Sequence, residues 1–260
     1  MSLRATLSVF HFEFLRTFTL GRVLFAVAMV LLPVALATLI QYHEGHLEYG
    51  ARAAILLYVL GPGLLCVMGL LLWATPAIHA EVEGGTWPYL AVRPVGKGAI
   101  LLGKYFNAVL WTACTVWASV AISLAVIQPE ESFLRTWWVF AALVGLSSLT
   151  NGALFVLLGA LFLRRAMVVA VAYTFVVEVL TAFIPAMIRQ ITVQHHLRNL
   201  LVKWLPGEIG FHSPDVNAAF MVDRAPASQH AVVLLGFTAA FLAAAVWVVR
   251  RRELLKPDES

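Results

Sequence analysis

Six apolar stretches organise the chain, at residues 23–40, 53–78, 105–127, 136–163, 166–188 and 231–249; together they hold no Lys, Arg, Asp or His and one Glu, Glu178. Each runs for 18 to 28 residues, enough to cross a hydrocarbon layer about 30 Å thick at about 1.5 Å per residue. The pattern predicts six transmembrane helices and an all-α fold. Ahead of the first stretch, Leu3, Leu7, Phe10, Phe14 and Phe18 recur at helical spacing, with Arg4, His11, Glu13 and Arg16 elsewhere around the wheel. That spacing predicts an interfacial helix over residues 3–20, lying along the membrane surface before the chain turns inward.

Composition agrees: of 260 residues, 61% are apolar and 12% charged, and the mean hydropathy is +0.86. The six spans take more than half of the chain, and the rest is short tails and loops. No soluble catalytic or nucleotide-binding domain of about 50 residues or more fits there, so residues 1–260 read as one membrane domain. An even number of spans puts both termini on one side. The tails and even-numbered connections hold 12 Lys and Arg, and the other three connections hold 6. By the positive-inside rule both termini are expected in the cytoplasm, with the chain multi-pass in the cytoplasmic (inner) membrane. The same rule accounts for the formal charge of +4 without a nucleic-acid partner. Residues 23–40 run into Gln41, Tyr42 and His43 with no small-residue cleavage site, so the first span is expected to be retained. Cys66 and Cys114 fall inside spans without metal-type spacing, and no redox or metal role is read from them.

The connection between spans two and three, residues 81–104, is not an ordinary solvated loop. Gly84 and Gly85 break the outgoing helix, Thr86 can cap a new one, and Pro88 suits its first turn. Pro94 biases Arg93 away from helix, which limits the new helix to about two turns, residues 86–92. Trp87, Tyr89, Leu90 and Val92 then place large apolar side chains on a cytoplasmic helix with no soluble domain of its own to cover them. Such a surface needs a partner or lipid headgroups.

The wording Glu83-Gly84-Gly85-Thr86, then Arg93-Pro94, Gly96-Lys97 and Ile100-Leu101-Leu102-Gly103-Lys104 resembles the first cytoplasmic loop of ABC-2-type permeases. It is closest to those of nitrous-oxide-reductase maturation and of multidrug or sodium export. The layout is similar too: an interfacial elbow helix, six spans, a loop after span two and a longer outer segment, residues 189–230. Trp87-Pro88 departs from the acidic or polar helix former expected there. The resemblance implies a type V exporter-like architecture and an export function. It implies that Glu81, Glu83, Gly84, Gly85, Thr86, Trp87, Tyr89, Leu90, Arg93, Pro94 and Lys97 form a coupling element docked on a separate cytoplasmic ABC ATPase, present in two copies. A second permease copy, as a homodimer, would complete the pathway. ATP and Mg would be bound by the ATPase, so this chain would need no cofactor and would not itself be an enzyme. A membrane anchor or signalling subunit for such an ATPase needs the same docking loop and is the alternative.

Glu178 lies near the centre of the fifth stretch, with Thr174, Thr181 and Pro185 on the same helical stripe. An acid there costs on the order of 3 kcal/mol to insert, so it is expected to face protein or a watery path. Glu178, Thr174, Thr181 and Asn151 are candidates to line a substrate path, and joining Glu178 to Asn151, Ser147 or Ser148 is the purely structural reading. In the outer segment, Leu197, Leu200, Leu201, Trp204 and Leu205 predict an amphipathic helix ending at Pro206-Gly207. It is expected to lie in the interface, to plug the exit or to meet an extracytoplasmic partner. His195, His196 and His212 invite a metal, but adjacent residues cannot share one helical face, and no metal site is read. Glu130, Glu131 and Arg135 match part of the pattern of intramembrane prenyl-protein proteases. That enzyme class needs His residues on later spans, and spans four and five have none. No catalytic residue is assigned.

Overall fold

The computed structural model describes residues 3–44, 51–87, 96–127, 133–163, 165–179, 192–205 and 225–251. Among these the regular structure is helical throughout: α1 (Leu3–Thr17), α2 (Leu20–Glu44), α3 (Ala51–Tyr58), α4 (Cys66–Trp73), α5 (Pro76–Glu83), α6 (Lys97–Ile127), α7 (Phe133–Leu161), α8 (Ala166–Tyr173), α9 (Val193–Trp204) and α10 (Ala227–Arg251). Two π-helical segments, Val59–Leu65 and Thr174–Val179, join α3 to α4 and continue α8. Five helices are long and apolar enough to cross a membrane: Leu20–Tyr42, Ala53–Glu83, Lys97–Ile127, Phe133–Leu161 and Ala227–Arg251. They make a multi-pass all-α chain. The expected fifth span, residues 166–188, is described only as a shorter apolar helix, Ala166–Val176, and its remainder lies outside the described residues.

α7 is the axis of the bundle. Its small residues let neighbours approach closely, as membrane helices require when no aqueous hydrophobic drive holds them together. A Cβ on Gly159 would collide with the Thr75 carbonyl oxygen, so α5 and α7 cross there backbone to backbone. The second span winds as a π-helix through Gly61-Pro62-Gly63, where proline removes one amide and the ladder cannot run as α. The Pro62 carbonyl receives the Ser147 hydroxyl at 2.8 Å, and Asn151 Nδ2 donates to the same Ser147 at 3.1 Å. A further hydroxyl of α7, Ser148, donates to Cys66 Sγ at 3.5 Å.

The core divides into two. One apolar cluster gathers around α9 and includes Leu57, Phe140, Leu143, Val144, Leu197, Leu200 and Leu201. The other gathers at the end of the bundle that carries Glu81, with Val82, Trp87, Ile100, Leu101, Phe155 and Val249. α2 and α10 are peripheral, leaving Leu24, Leu31, Leu39, Val232 and Leu235 exposed to whatever surrounds the bundle.

Two sequence expectations differ from the fold. α9 forms where the leucine spacing predicts, but it does not lie on a surface: Leu197, Leu200 and Leu201 are fully buried and so, nearly, are His195, His196 and Asn199 on its polar face. The polar face is covered because α3 and α10 supply hydrogen-bonding side chains from far along the sequence, Tyr58 and His230. Trp87, expected on an open docking face, is 2% exposed and belongs to the chain's own core.

Candidate functional site

The site assembles where α5 ends. Glu83 closes the helix, and the chain leaves through a Schellman turn: the Gly85 amide donates to the Val82 carbonyl at 3.2 Å and the Thr86 amide to the Glu81 carbonyl at 3.0 Å. Gly85 takes φ +66°, a left-handed conformation in which a side chain is strained. The turn sends the Thr86 hydroxyl back toward α5, where it donates to the Glu81 carboxylate as well as to the Glu81 carbonyl. Thr86 thus closes the helix behind it.

Glu81 is 4% exposed. Its Oε1 accepts from Lys104 Nζ at 2.8 Å and from Arg16 Nη1 at 3.1 Å. Lys104, itself 7% exposed, also pairs with Glu13 Oε1 at 2.8 Å. Two acids and two bases from α1, α5 and α6 therefore neutralise one another, and the carboxylate of Glu81 is satisfied at both oxygens. Buried charges persist in this way only when paired and hydrogen-bonded.

Further contacts fix α1 on α6. Asn107 Nδ2 donates to Thr17 Oγ1 at 2.8 Å, and that hydroxyl donates to the Glu13 carbonyl at 2.7 Å. A Cβ on Gly103 would meet Val9 Cγ1 at 2.7 Å and the Phe10 amide nitrogen at 3.1 Å, so any larger residue would lift α1 away. Phe14 and Phe18 pack edge-on against Trp111, with ring centroids 6.4 and 5.0 Å apart. A cavity of about 380 Å³ lies beside the charges, with Arg22, Trp73 and Trp111 among its walls.

Of the expected coupling residues, the fold brings Glu81, Thr86 and the motif's Lys104 into one network. Glu83 stands apart, exposed and accepting from His79 at 3.2 Å, one turn earlier. Gly84 ends the helix, and Lys97, half-buried, begins α6. Tyr89, Leu90, Arg93 and Pro94, and with them the short helix of residues 86–92 beyond Trp87, lie outside the described residues. Glu13 and Arg16, read from the sequence as the polar side of an interfacial helix, are the partners that reasoning missed. The available signal was depth: Glu81 follows one apolar run and Lys104 precedes the next, with Arg16 before the first.

Of the path candidates, Asn151 Nδ2 donates to Ser147 Oγ within α7 at 3.1 Å, and Thr174 donates to the Ala170 carbonyl at 2.9 Å and lines a groove beside the second span. Glu178 lies on the π-helical continuation of α8, and Thr181 lies outside the described residues, as does His212.

At the opposite end, His196 Nδ1 and His230 Nδ1 are 2.9 Å apart, and Lys203 Nζ is 3.0 Å from His230 Nε2. An ammonium only donates, so His230 accepts at Nε2, carries its proton on Nδ1 and gives that hydrogen to His196. The neighbouring His195 points elsewhere, 3.4 Å from Asn199 Nδ2. Among the described residues no group of three or more His, Cys, Asp or Glu is arranged to hold a metal ion.

Comparison of the sequence with known protein families finds no matching family, and comparison with curated proteins finds no match.

Proposed function

We propose that this chain is the transmembrane permease subunit of an ABC transporter of the ABC-2 type. It moves a substrate across the cytoplasmic membrane, most naturally outward, while a separate ATPase docked on residues 81–104 hydrolyses ATP. In this reading two ATPase subunits and a second permease copy complete the machine. Its six spans have both termini in the cytoplasm.

The observation that supports the reading is the network of Glu81, Lys104, Glu13 and Arg16. It fastens both flanks of the loop and the elbow helix to one another. A loop held that way moves with its spans, and packed helices move as units rather than bending continuously. Force on the loop would therefore tilt spans two and three together with α1. A loop that merely tethers a partner has no need of such a joint.

The test is purification of the chain from its native membranes in mild detergent. Mg-dependent ATP hydrolysis should accompany the wild-type chain. It should be lost from the Tyr89→Asp, Leu90→Asp double variant while membrane insertion is retained, because two central apolar anchors can each contribute on the order of 2 kcal/mol to an interface. Hydrolysis absent from the wild type, or equal in the variant, would overturn the assignment. ATPase activity that no transported compound stimulates would instead favour the anchor.

A further inference from the structure

A groove of about 370 Å³ runs along the second span, opposite α8 and its π-helical continuation, and reaches α9 at one end. Its walls are apolar: Val59, Leu64 and Met68 on one side, Val171 and Phe175 on the other, each between 39% and 60% exposed. From Tyr58 to Leu71 it follows 14 residues of the second span, about 20 Å at helical rise, or well over half of a hydrocarbon layer about 30 Å thick. Both walls are wound as π-helix along part of the groove, a local widening that often marks functional positions. Gly63, with no side chain, keeps one wall open.

The end at α9 is different. Arg198 lines it, half-buried, with no hydrogen bond or ion pair among the described residues. Gln194, its neighbour one turn back, is already engaged, accepting from the Tyr58 hydroxyl at 2.6 Å. Among the described residues no carboxylate lines the groove. A guanidinium at the head of an apolar channel, with no acid beside it among the described residues, is costly to keep unless an anion joins it.

We propose that the groove holds one acyl chain of an anionic membrane lipid, drawn from the leaflet on the α9 side, with the lipid phosphate on Arg198. A bilayer lipid supplies both parts at the spacing the groove requires, an anion at headgroup depth and some 20 Å of hydrocarbon beneath it. The planar guanidinium fork matches phosphate oxygens two at a time, which a point charge does not. The inference is independent of any ATPase partner and holds for a transporter and for an anchor alike.

The test uses the full chain in phosphatidylcholine nanodiscs containing a trace of phosphatidylglycerol with a photoactivatable diazirine in mid-chain, and adducts are mapped by mass spectrometry. Labelling is expected at Leu64, Met68 and Phe175. Unlabelled phosphatidylglycerol should compete at least about tenfold better than added phosphatidylcholine. Arg198→Gln should lower the labelling about tenfold and Arg198→Lys should keep much of it, as loss or retention of a charge-assisted contact predicts. Met68→Trp, which fills the groove and leaves Arg198 in place, should remove the labelling, and it keeps the test open if the arginine variants assemble poorly. Equal labelling by a phosphatidylcholine probe of the same chain length, or labelling indifferent to Arg198→Gln, would show ordinary lipid contact and overturn the proposal. So would a Met68→Cys disulfide between copies in place of lipid adducts, which would give the groove to a second copy of the chain.

Discussion

At one end of the bundle Glu81, Lys104, Glu13 and Arg16 join α1, α5 and α6 through charges 2.8 to 3.1 Å apart. At the other end α3 meets α9 through a phenol and an amide, Tyr58 and Gln194, with apolar packing around them. The two joints respond differently to damage. Removing one member of a buried charge network strands the rest, whereas removing one neutral hydrogen bond loses only that bond and a modest desolvation term. The charged joint therefore fixes register strictly, and the neutral one leaves most of the work to burial.

Lys104→Met should show the largest difference. It leaves Glu13 unpaired and Glu81 held only by Arg16 and Thr86, at a cost of about 3–5 kcal/mol. Amide hydrogen exchange in α1 should rise about a hundredfold or more, since about 1.4 kcal/mol is a factor of ten. Exchange in α9 should hardly change. Equal acceleration at both ends would mean that the bundle opens as one unit and that the distinction between the joints is empty.

A smaller effect is expected at the other end from Tyr58→Phe, which removes the hydroxyl bonded to Gln194 and costs about 1–2 kcal/mol. Melting in detergent should fall measurably less than for Lys104→Met. A larger fall would make the neutral joint the stricter of the two. Arg16→Gln should be the mildest. Its side chain is 61% exposed, so its pair with Glu81 is screened by solvent and the loss should stay below about 1 kcal/mol. A melt lowered as far as that of Lys104→Met would place Arg16 in the joint's core rather than at its rim.

Much of this architecture is legible in the chain. Five apolar runs become helices long enough to span, and the phenylalanine spacing before the first becomes α1. The break at Gly84-Gly85 is legible too, because one glycine takes the left-handed turn. What closes the turn is less so: a threonine just after a helix reads as a cap for the next one, and only the Schellman geometry turns its hydroxyl back to Glu81. Trp87 reads as exposed because local patterning cannot show that the chain buries it in the same cluster as Val82 and Ile100. The polar face of α9 reads as solvated for the same reason. Its cover, His230, lies 34 residues from His196, and pairings at that distance depend on the path of the whole chain. Lys104 is visible as part of a motif but not as the partner of Glu13, 91 positions earlier.

The central claim is that Glu81 and Lys104 act as one joint that ties both flanks of the loop to α1. A double-mutant cycle on unfolding free energy, with Glu81→Gln, Lys104→Met and the pair, tests it most directly. The account predicts a coupling on the order of 2 kcal/mol, the double variant being less damaged than the two single losses added together. Strict additivity within about 0.5 kcal/mol would contradict it, and would mean that the two side chains stabilise the bundle independently.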